Sequence, residues 1–537
     1  MKDSYDYIIV GAGSAGCALA ARLTEDGRKS VLLLEAGEDD RWIWTKIPAG
    51  VYYLLRTGRS TWRFFTDPEP HMNGRRISWP RGRNLGGSST VNGMIWVHGD
   101  PAEYDHWRDG LGLGGWGFSD LRPLFTKVES YPGGEAQARG QLGPVAVTKL
   151  QARHPLMDSF REACVSTGIP ATEDYNDGNY EGVDYLQFNT RRGWRQGGRE
   201  TYLKQASNRP NLDIVSGAMA ERVVFEGKRA VGVAFSQGGK KHTIRAGREV
   251  ILAAGSIQSP QLLELSGIGA GERLREHGID VVHDLPAVGE NMQDHLHTRL
   301  SFRCRDAVTM NQIIRNPLRK GVMGAQFALF GTGLMTCAGQ IIHALAKSTP
   351  EQKQPDVKIQ LHWLSSPDAR DPERLVLDDY PGISIGTFPL RPKSRGSVHI
   401  RSRDPAEAPS MSANYLDHED DVAVTLRAIR MAREIAAQPA MKAWGVEETR
   451  PGADLTTDDE LLDFTRKTAQ TSYHPIGSCR MGTDDASVVD ERLRVRGVEG
   501  LRVADASVFP SMCSANTNAP AMVVGEKAAI MIAEDAR

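Results

Sequence analysis

The sequence predicts an α/β fold, α+β over the whole chain. A parallel sheet drawn from both ends and the middle would carry an inserted unit built on an antiparallel sheet. Three observations lead there. First, Tyr5-Asp6-Tyr7-Ile8-Ile9-Val10 and Ser30-Val31-Leu32-Leu33-Leu34-Glu35 are short apolar runs, separated by a glycine-rich turn and an Ala/Leu helical pattern over 17–25. Strand, helix and strand in that order form a βαβ unit, which implies parallel pairing. Second, alternating runs recur between 300 and 415, as at 357–363 and 396–400. Such alternation fits half-buried antiparallel strands. Third, a strand pattern at 501–505 and a helix pattern at 520–533 close the chain, with Pro520 suited to a helix's first turn. Between these, strands are expected at 212–215, 220–225, 230–235 and 249–255, and a helix at 421–437. The expected division is 1–155, 211–300 and 465–537 in a discontinuous first domain, and 156–210 and 301–464 in a second.

Composition narrows the function. The chain has 537 residues, 40% hydrophobic and 25% charged, enough for a sizeable core. Its 65 basic and 67 acidic residues leave a formal charge of -2, so nothing electrostatic points to nucleic acid. Six cysteines are scattered with no C-x-x-C pair, which fits free thiols in a reducing compartment. His295 and His297 form H-x-H without a third ligand nearby, so no metal is expected. The first strand leaves no room for a leader, and no apolar run reaches about 18 residues. A cytoplasmic location is expected, with peripheral attachment to the inner membrane face as the alternative. The mostly apolar stretch 316–335, flanked by Arg315, Arg319 and Lys320, reads as a buried helix; a dimer, membrane-surface or substrate-access element is the minor reading.

Four clusters carry chemistry. Gly11, Gly13 and Gly16 form G-x-G-x-x-G between strand and helix. They permit the tight turn, the close approach of a pyrophosphate and helix–strand packing. The helix start offers N–H groups to phosphate. Glu35, nineteen residues past Gly16, ends the second strand, where a carboxylate can accept from ribose hydroxyls. The second cluster, Arg81 to Met94, combines paired glycines with hydroxyls that suit an anion. Alone it could be a polar loop. Two distant loops gripping one ligand favour a long cofactor such as FAD over an exchanging nicotinamide. The third is Thr471 to Gly482, where Pro475 keeps His474 out of helix and an imidazole titrating near neutrality can take a proton from an alcohol. An isolated His is more often structural. The fourth is Asp505-Ala506-Ser507 with Asn516 and Asn518, which either cap the last helix or face a ligand at its start.

These motifs, with the segments 255–269 and 288–295, resemble the glucose–methanol–choline family of FAD oxidoreductases over nearly the whole chain. The resemblance implies a Rossmann-like FAD-binding domain with an inserted substrate domain on an antiparallel sheet. With the motifs, it implies FAD held by Gly11, Gly13, Ser14, Ala15, Gly16, Glu35, Ala36, Trp62, Arg83, Gly86, Gly87, Ser88, Asn92, Gly93, Met94, Val223, Ala254, Gly255, Tyr473, Asp505, Ala506, Asn516 and Asn518. Val91 stands where some members carry the His that links flavin covalently, so a noncovalent cofactor is expected. His474 aligns with the family's base and Asn516 with its partner. The implied reaction is oxidation of a primary alcohol of choline, aliphatic, benzylic or furanic type. Hydride would pass to flavin N5, and electrons to O2 or a quinone- or dye-like acceptor. A rate rising with pH through the ionisation of His474 is expected. A hydroxynitrile lyase or a fatty-acid photodecarboxylase would share many of these motifs. No oligomeric state is legible.

Overall fold

The computed structural model describes residues 1–135, 137–367 and 376–536. The first sheet runs in the order Leu212–Val215, Val31–Leu34, Ser4–Val10, Lys240–Leu252, Arg229–Gln237, Ala218–Glu226, with Leu501–Val503 also paired to Lys240–Leu252. Ser4–Val10 lies parallel to both its neighbours, and Leu501–Val503 runs parallel too. The βαβ expectation is therefore met, with the helix Ser14–Leu23 between the strands.

The strand expected at 249–255 differs at both ends: it starts at Lys240 and stops at Leu252. Its charged first half, with Lys240, Lys241 and Arg245, forms a hairpin with Arg229–Gln237. Its apolar second half, with Val250, Ile251 and Leu252 fully buried, turns to pair with Ser4–Val10. One strand thus does two jobs, and only the second half carries the hydrophobic signal of a central strand. Ala253 and Ala254 then leave the sheet, and Gly255, at φ +87°, starts the helix Gly255–Leu265.

The second sheet is antiparallel, in the order Glu447–Arg450, Leu296–Arg303, Gly382–Pro389, Val357–His362, Gln340–Ala346, Gly182–Tyr185, with Gln470–Thr471 beside Leu296–Arg303. Val357–His362 was expected to be half-buried, yet all six residues are buried. Its alternation separates an apolar face from a second interior face carrying Lys358, Gln360 and His362. Helix Glu419–Ala436 packs on this sheet.

The stretch 316–335 is also corrected. Helix Pro317–Phe330 buries only Phe327, against Trp194, while Leu318, Val322, Leu329 and Phe330 are exposed. Leu318, Val322, Ala325 and Leu329, spaced i, i+4, i+7 and i+11, share one face, and that face is turned to solvent. Among the described residues, no helix is long and apolar enough to cross a membrane. All six cysteines are buried and unpaired.

Both chain ends meet beside the glycine turn. The last helix, Asn518–Asp535, packs on Ser14–Leu23. Ser14 Oγ donates to Asn518 Oδ1 (2.7 Å), and Arg22 donates to the buried Glu526 (2.8 Å). A Cβ on Gly525 would lie 2.3 Å from the Ala15 carbonyl oxygen. Two opposed effects therefore meet at this position. Alanine gains up to about 1 kcal/mol in helix propensity, while overpacking against a backbone atom costs about 1–3 kcal/mol. The clash should win, so Gly525→Ala is expected to lower the thermal unfolding midpoint and weaken cofactor retention. An unchanged midpoint in matched melts would show that the two helices are not in such close contact.

Candidate active site

One elongated cavity is walled by both sheets. At one end the glycine turn is shaped by contacts that no side chain could share. Gly11 has φ +104°, and a Cβ there would meet the Ala253 carbonyl oxygen at 2.5 Å. A Cβ on Gly16 would sit 2.0 Å from Gly11 O, so Gly16 serves helix–strand packing and does not line the cavity. At Gly13 the nearest atom is 3.9 Å away, leaving room for a ligand. The second glycine cluster presses directly on the first. Gly86 N–H donates to Ala12 O (2.8 Å), and a Cβ on Gly87 would come 2.7 Å from Gly13 Cα.

Glu35 accepts from the backbone N–H of Ala12 (2.9 Å) and Gly37 (2.8 Å), one on each oxygen. Each oxygen keeps acceptor capacity for a ligand hydroxyl. Burial pushes its carboxyl up to about 7 against the two N–H donors that oppose the shift. Asp505 closes the opposite wall, accepting from Gly255 N–H (2.9 Å), Ser259 Oγ (2.6 Å) and Ser507 N–H (2.8 Å).

Of the residues singled out in sequence, Gly11, Gly13, Ser14, Ala15, Glu35, Ala36, Trp62, Gly87, Ser88, Asn92, Gly93, Met94, Ala254, Gly255, Tyr473, His474, Asp505, Ala506, Asn516 and Asn518 line this cavity, as does Val91. Four do not. Gly16 and Gly86 shape the loops from behind. Arg83 stacks its guanidinium 4.2 Å above the Trp62 ring, facing an adjoining surface pocket. Val223 lies in the core, its N–H donated to Ser266 Oγ (2.8 Å). Ala218, Met219 and Ala220 of the same strand form the wall there.

Neither asparagine caps the last helix, which begins at Asn518 with Thr517 as an N-cap that makes no side-chain bond. Asn518 Nδ2 is buried without a partner, although its Oδ1 is held by Ser14. Two helix starts, a cradle open at Gly13 and an orphaned amide along one cavity fit a dinucleotide that reaches from one loop to the other.

At the other end, Leu390 O can only accept, so His295 donates to it from Nε2 (3.0 Å). Burial lowers the His295 pKa to about 4, so its Nδ1 is an acceptor at neutrality. His474 must then donate from Nδ1 to His295 Nδ1 (3.0 Å), which leaves the lone pair on His474 Nε2. Asn516 Nδ2 donates to that nitrogen (3.0 Å), and Lys358 Nζ donates to Asn516 Oδ1 (2.7 Å), which orients the amide. Burial, reinforced by the positive groups around it, holds His474 well below its ordinary value. Burial also lowers Lys358, to about 7. The expected rise of rate with pH through neutrality is thus corrected: His474 is already neutral there.

The loop itself is fixed. Asp294, raised to about 6 by burial, accepts from the His474 N–H (2.7 Å), Thr471 Oγ1 (2.5 Å) and the Tyr415 hydroxyl. Tyr473 is held at φ +66°, a costly conformation for a bulky residue. Sequence reasoning missed Asp294, Lys358 and the partnership of His295. His295 did stand out, but as half of a weak H-x-H pair. Among the described residues no three His, Cys, Asp or Glu side chains gather as metal ligands.

Comparisons with known proteins identify the family. A family model described as GMC oxidoreductase matches residues 5–297, and its C-terminal counterpart matches 392–525. The chain is 42% identical over 525 residues to an oxygen-dependent choline dehydrogenase of Brucella anthropi, covering 97% of this chain and 94% of that one. The like-named protein of Chromohalobacter salexigens is 42% identical over 529 residues, covering 98% and 94%. Among solved structures, pyridoxine 4-oxidase from Mesorbium loti superposes with a TM-score of 0.87 at 29% identity, covering 99% of each chain. A variant of Aspergillus oryzae formate oxidase gives 0.92 at 26%, covering 100% of this chain and 99% of that one.

Glu35→Ala should remove charge-assisted hydrogen bonds to the adenosine ribose, each contributing about 1.5–3 kcal/mol. Titrating apoprotein with FAD should show affinity reduced at least about tenfold; an unchanged affinity would remove Glu35 from the site. With Val91 at the linking position, acid precipitation should release all the flavin into the supernatant.

Proposed function

The chain belongs to the GMC oxidoreductase family of FAD-dependent enzymes acting on alcohol-type substrates, and on that premise we propose that it oxidises a primary alcohol to an aldehyde, with His474 as the base. The observation that carries this reading is an unprotonated His474 Nε2 accepting from the Asn516 amide (3.0 Å), a bond an alcohol hydroxyl can replace, in the same cavity as the glycine cradle. FAD would be held by the glycine loops, Glu35, Asp505 and Asn518; when bound, it supplies the hydride acceptor. The first sheet would form the cofactor unit and the second the substrate unit.

The chain's own residues do the acid–base work. Oxidising a CH–OH group removes a hydroxyl proton and a hydride. His474 Nε2 takes the proton, which neutral imidazole can do without prior ionisation. Asn516 Nδ2 has a second hydrogen with which to stabilise the developing alkoxide, and Lys358 keeps that amide from turning. The imidazolium that forms still donates from Nδ1 to His295, so its orientation does not change during the transfer. Buried walls exclude water and hold the carbon in place, which makes the transfer effectively intramolecular. Dioxygen as the final acceptor is favoured by the relatives named oxygen-dependent choline dehydrogenases.

His474→Ala is expected to slow anaerobic bleaching of the flavin by alcohol about 10²–10⁴-fold with near-normal FAD content. Asn516→Ala should cost less, since it removes one neutral donor. Bleaching by His474→Ala at the wild-type rate in a stopped-flow trace would make another group the base.

A further inference from the structure

One half-buried cation in this cavity has no counter-charge. Arg299 lies on the strand Leu296–Arg303 and lines the cavity wall. Its Nε is buried with no hydrogen-bond partner. Among the described residues, no carboxylate pairs with its guanidinium and no ring stacks on it. Burial lowers its pKa, and the phenols of Tyr52 and Tyr473 oppose that only in part. Its neighbours do not compensate it: His297 and His362 are both held well below their ordinary values, partly by Arg299 itself.

Other orphaned polar atoms share the wall, among them His297 Nε2, Gln340 Oε1 and Ser472 Oγ. The two carboxylates lining the cavity are both engaged at the cofactor end, Glu35 by Ala12 and Gly37, and Asp505 by Gly255, Ser259 and Ser507. The other cavity arginine, Arg81, is spent on Tyr473 O (3.0 Å) and Ser88 Oγ (3.3 Å). A guanidinium lining a cavity without a partner favours a bidentate anion, whose two oxygens match its paired N–H groups. A cationic alcohol such as choline would meet an unneutralised positive charge and no free carboxylate.

We propose that the alcohol oxidised at His474 carries a carboxylate, and that Arg299 receives it. This deepens the alcohol-oxidation reading and rests on it. Arg299 is four residues along the strand from His295, the partner of His474, and on the same face. Four strand residues span about 13 Å, and both side chains reach inward from their ends. The hydroxyl and the carboxylate should therefore be separated by a spacer about as long as an aromatic ring. The reaction is the same: the hydroxyl proton goes to His474, the hydride to FAD, and the carboxylate is unchanged.

The test uses FAD-loaded enzyme and three benzylic alcohols: 4-(hydroxymethyl)benzoate, its methyl ester and 4-(trimethylammonio)benzyl alcohol. For wild type, kcat/KM for the acid should exceed that for the ester by about 10–100-fold, the effect of a charge-assisted hydrogen-bond pair, with the cation slowest. Arg299→Gln should collapse the acid-to-ester ratio, and Arg299→Lys should restore part of it. A separate arm needs no turnover: benzoate, which has no hydroxyl, should perturb the flavin absorbance of wild type at lower concentration than benzamide, and Arg299→Gln should abolish that difference. Equal kcat/KM for acid and ester, or a preference for the cation, overturns the proposal. So does loss of FAD from both variants, which would assign Arg299 to the cofactor. If none of the alcohols bleaches the flavin but the benzoate preference holds, the anion site stands and alcohol oxidation falls.

Discussion

The carbonyl oxygen of Leu390, buried at the end of the strand Gly382–Pro389, orders the protons of the site. A carbonyl can only accept, so it forces a proton onto His295 Nε2. Burial keeps His295 neutral, so its other nitrogen can only accept from His474. Acceptor capacity alone thus passes along two imidazoles and leaves the lone pair on His474 Nε2, which accepts from the Asn516 amide. In a low-dielectric interior such a row is strongly held, because any break would orphan a buried polar atom. Lys358 and Asn516 complete the row from the other side by fixing which end of the amide meets the imidazole.

That row can exist only because distant segments are held in register. His295 precedes and Arg299 lies within the strand Leu296–Arg303, Lys358 sits on Val357–His362, and His474 follows the short strand Gln470–Thr471. Asn516 comes from the turn before the last helix, which is locked to the glycine-turn helix through Ser14, Asn518, Arg22 and Glu526. Asp294 ties the His474 loop to the second sheet, and Asp505 ties the first sheet to the helix Gly255–Leu265. The glycine turn and the His474–Asn516 pair are therefore positioned by the same framework.

What could be read in the sequence was what is local. Gly11, Gly13, Gly16 and Glu35 form a motif within one βαβ unit, where each spacing has a steric or hydrogen-bonding cause. His474 and Asn516 stood out locally as candidates, and only the family resemblance gave them their paired roles. Lys358 and Arg299 were not legible, because on a strand whose two faces are both interior a buried polar residue looks the same as a solvent-facing one. The half-buried expectation for 357–363 failed for that reason. The buried-helix reading of 316–335 failed because a shared apolar face does not show what covers it: of the helix Pro317–Phe330 only Phe327 is buried. Val223 sits three residues past Ala220, the last wall residue on its strand, and nothing local in the sequence separates the two.

The most direct test of the account is the pH dependence of anaerobic flavin reduction in the wild-type enzyme at saturating alcohol. Because burial and nearby positive charge depress the pKa of His474, the reactive neutral form is present throughout the neutral range. It is lost only as pH falls well below 6.5. The rate should therefore show no rise between about pH 6.5 and 9; any change there should be a fall, as Lys358 loses its charge above about 7. A rate climbing about tenfold per pH unit through 7 would mean that the base must first shed a proton in that range, and the neutral row from Leu390 to His474 would be wrong.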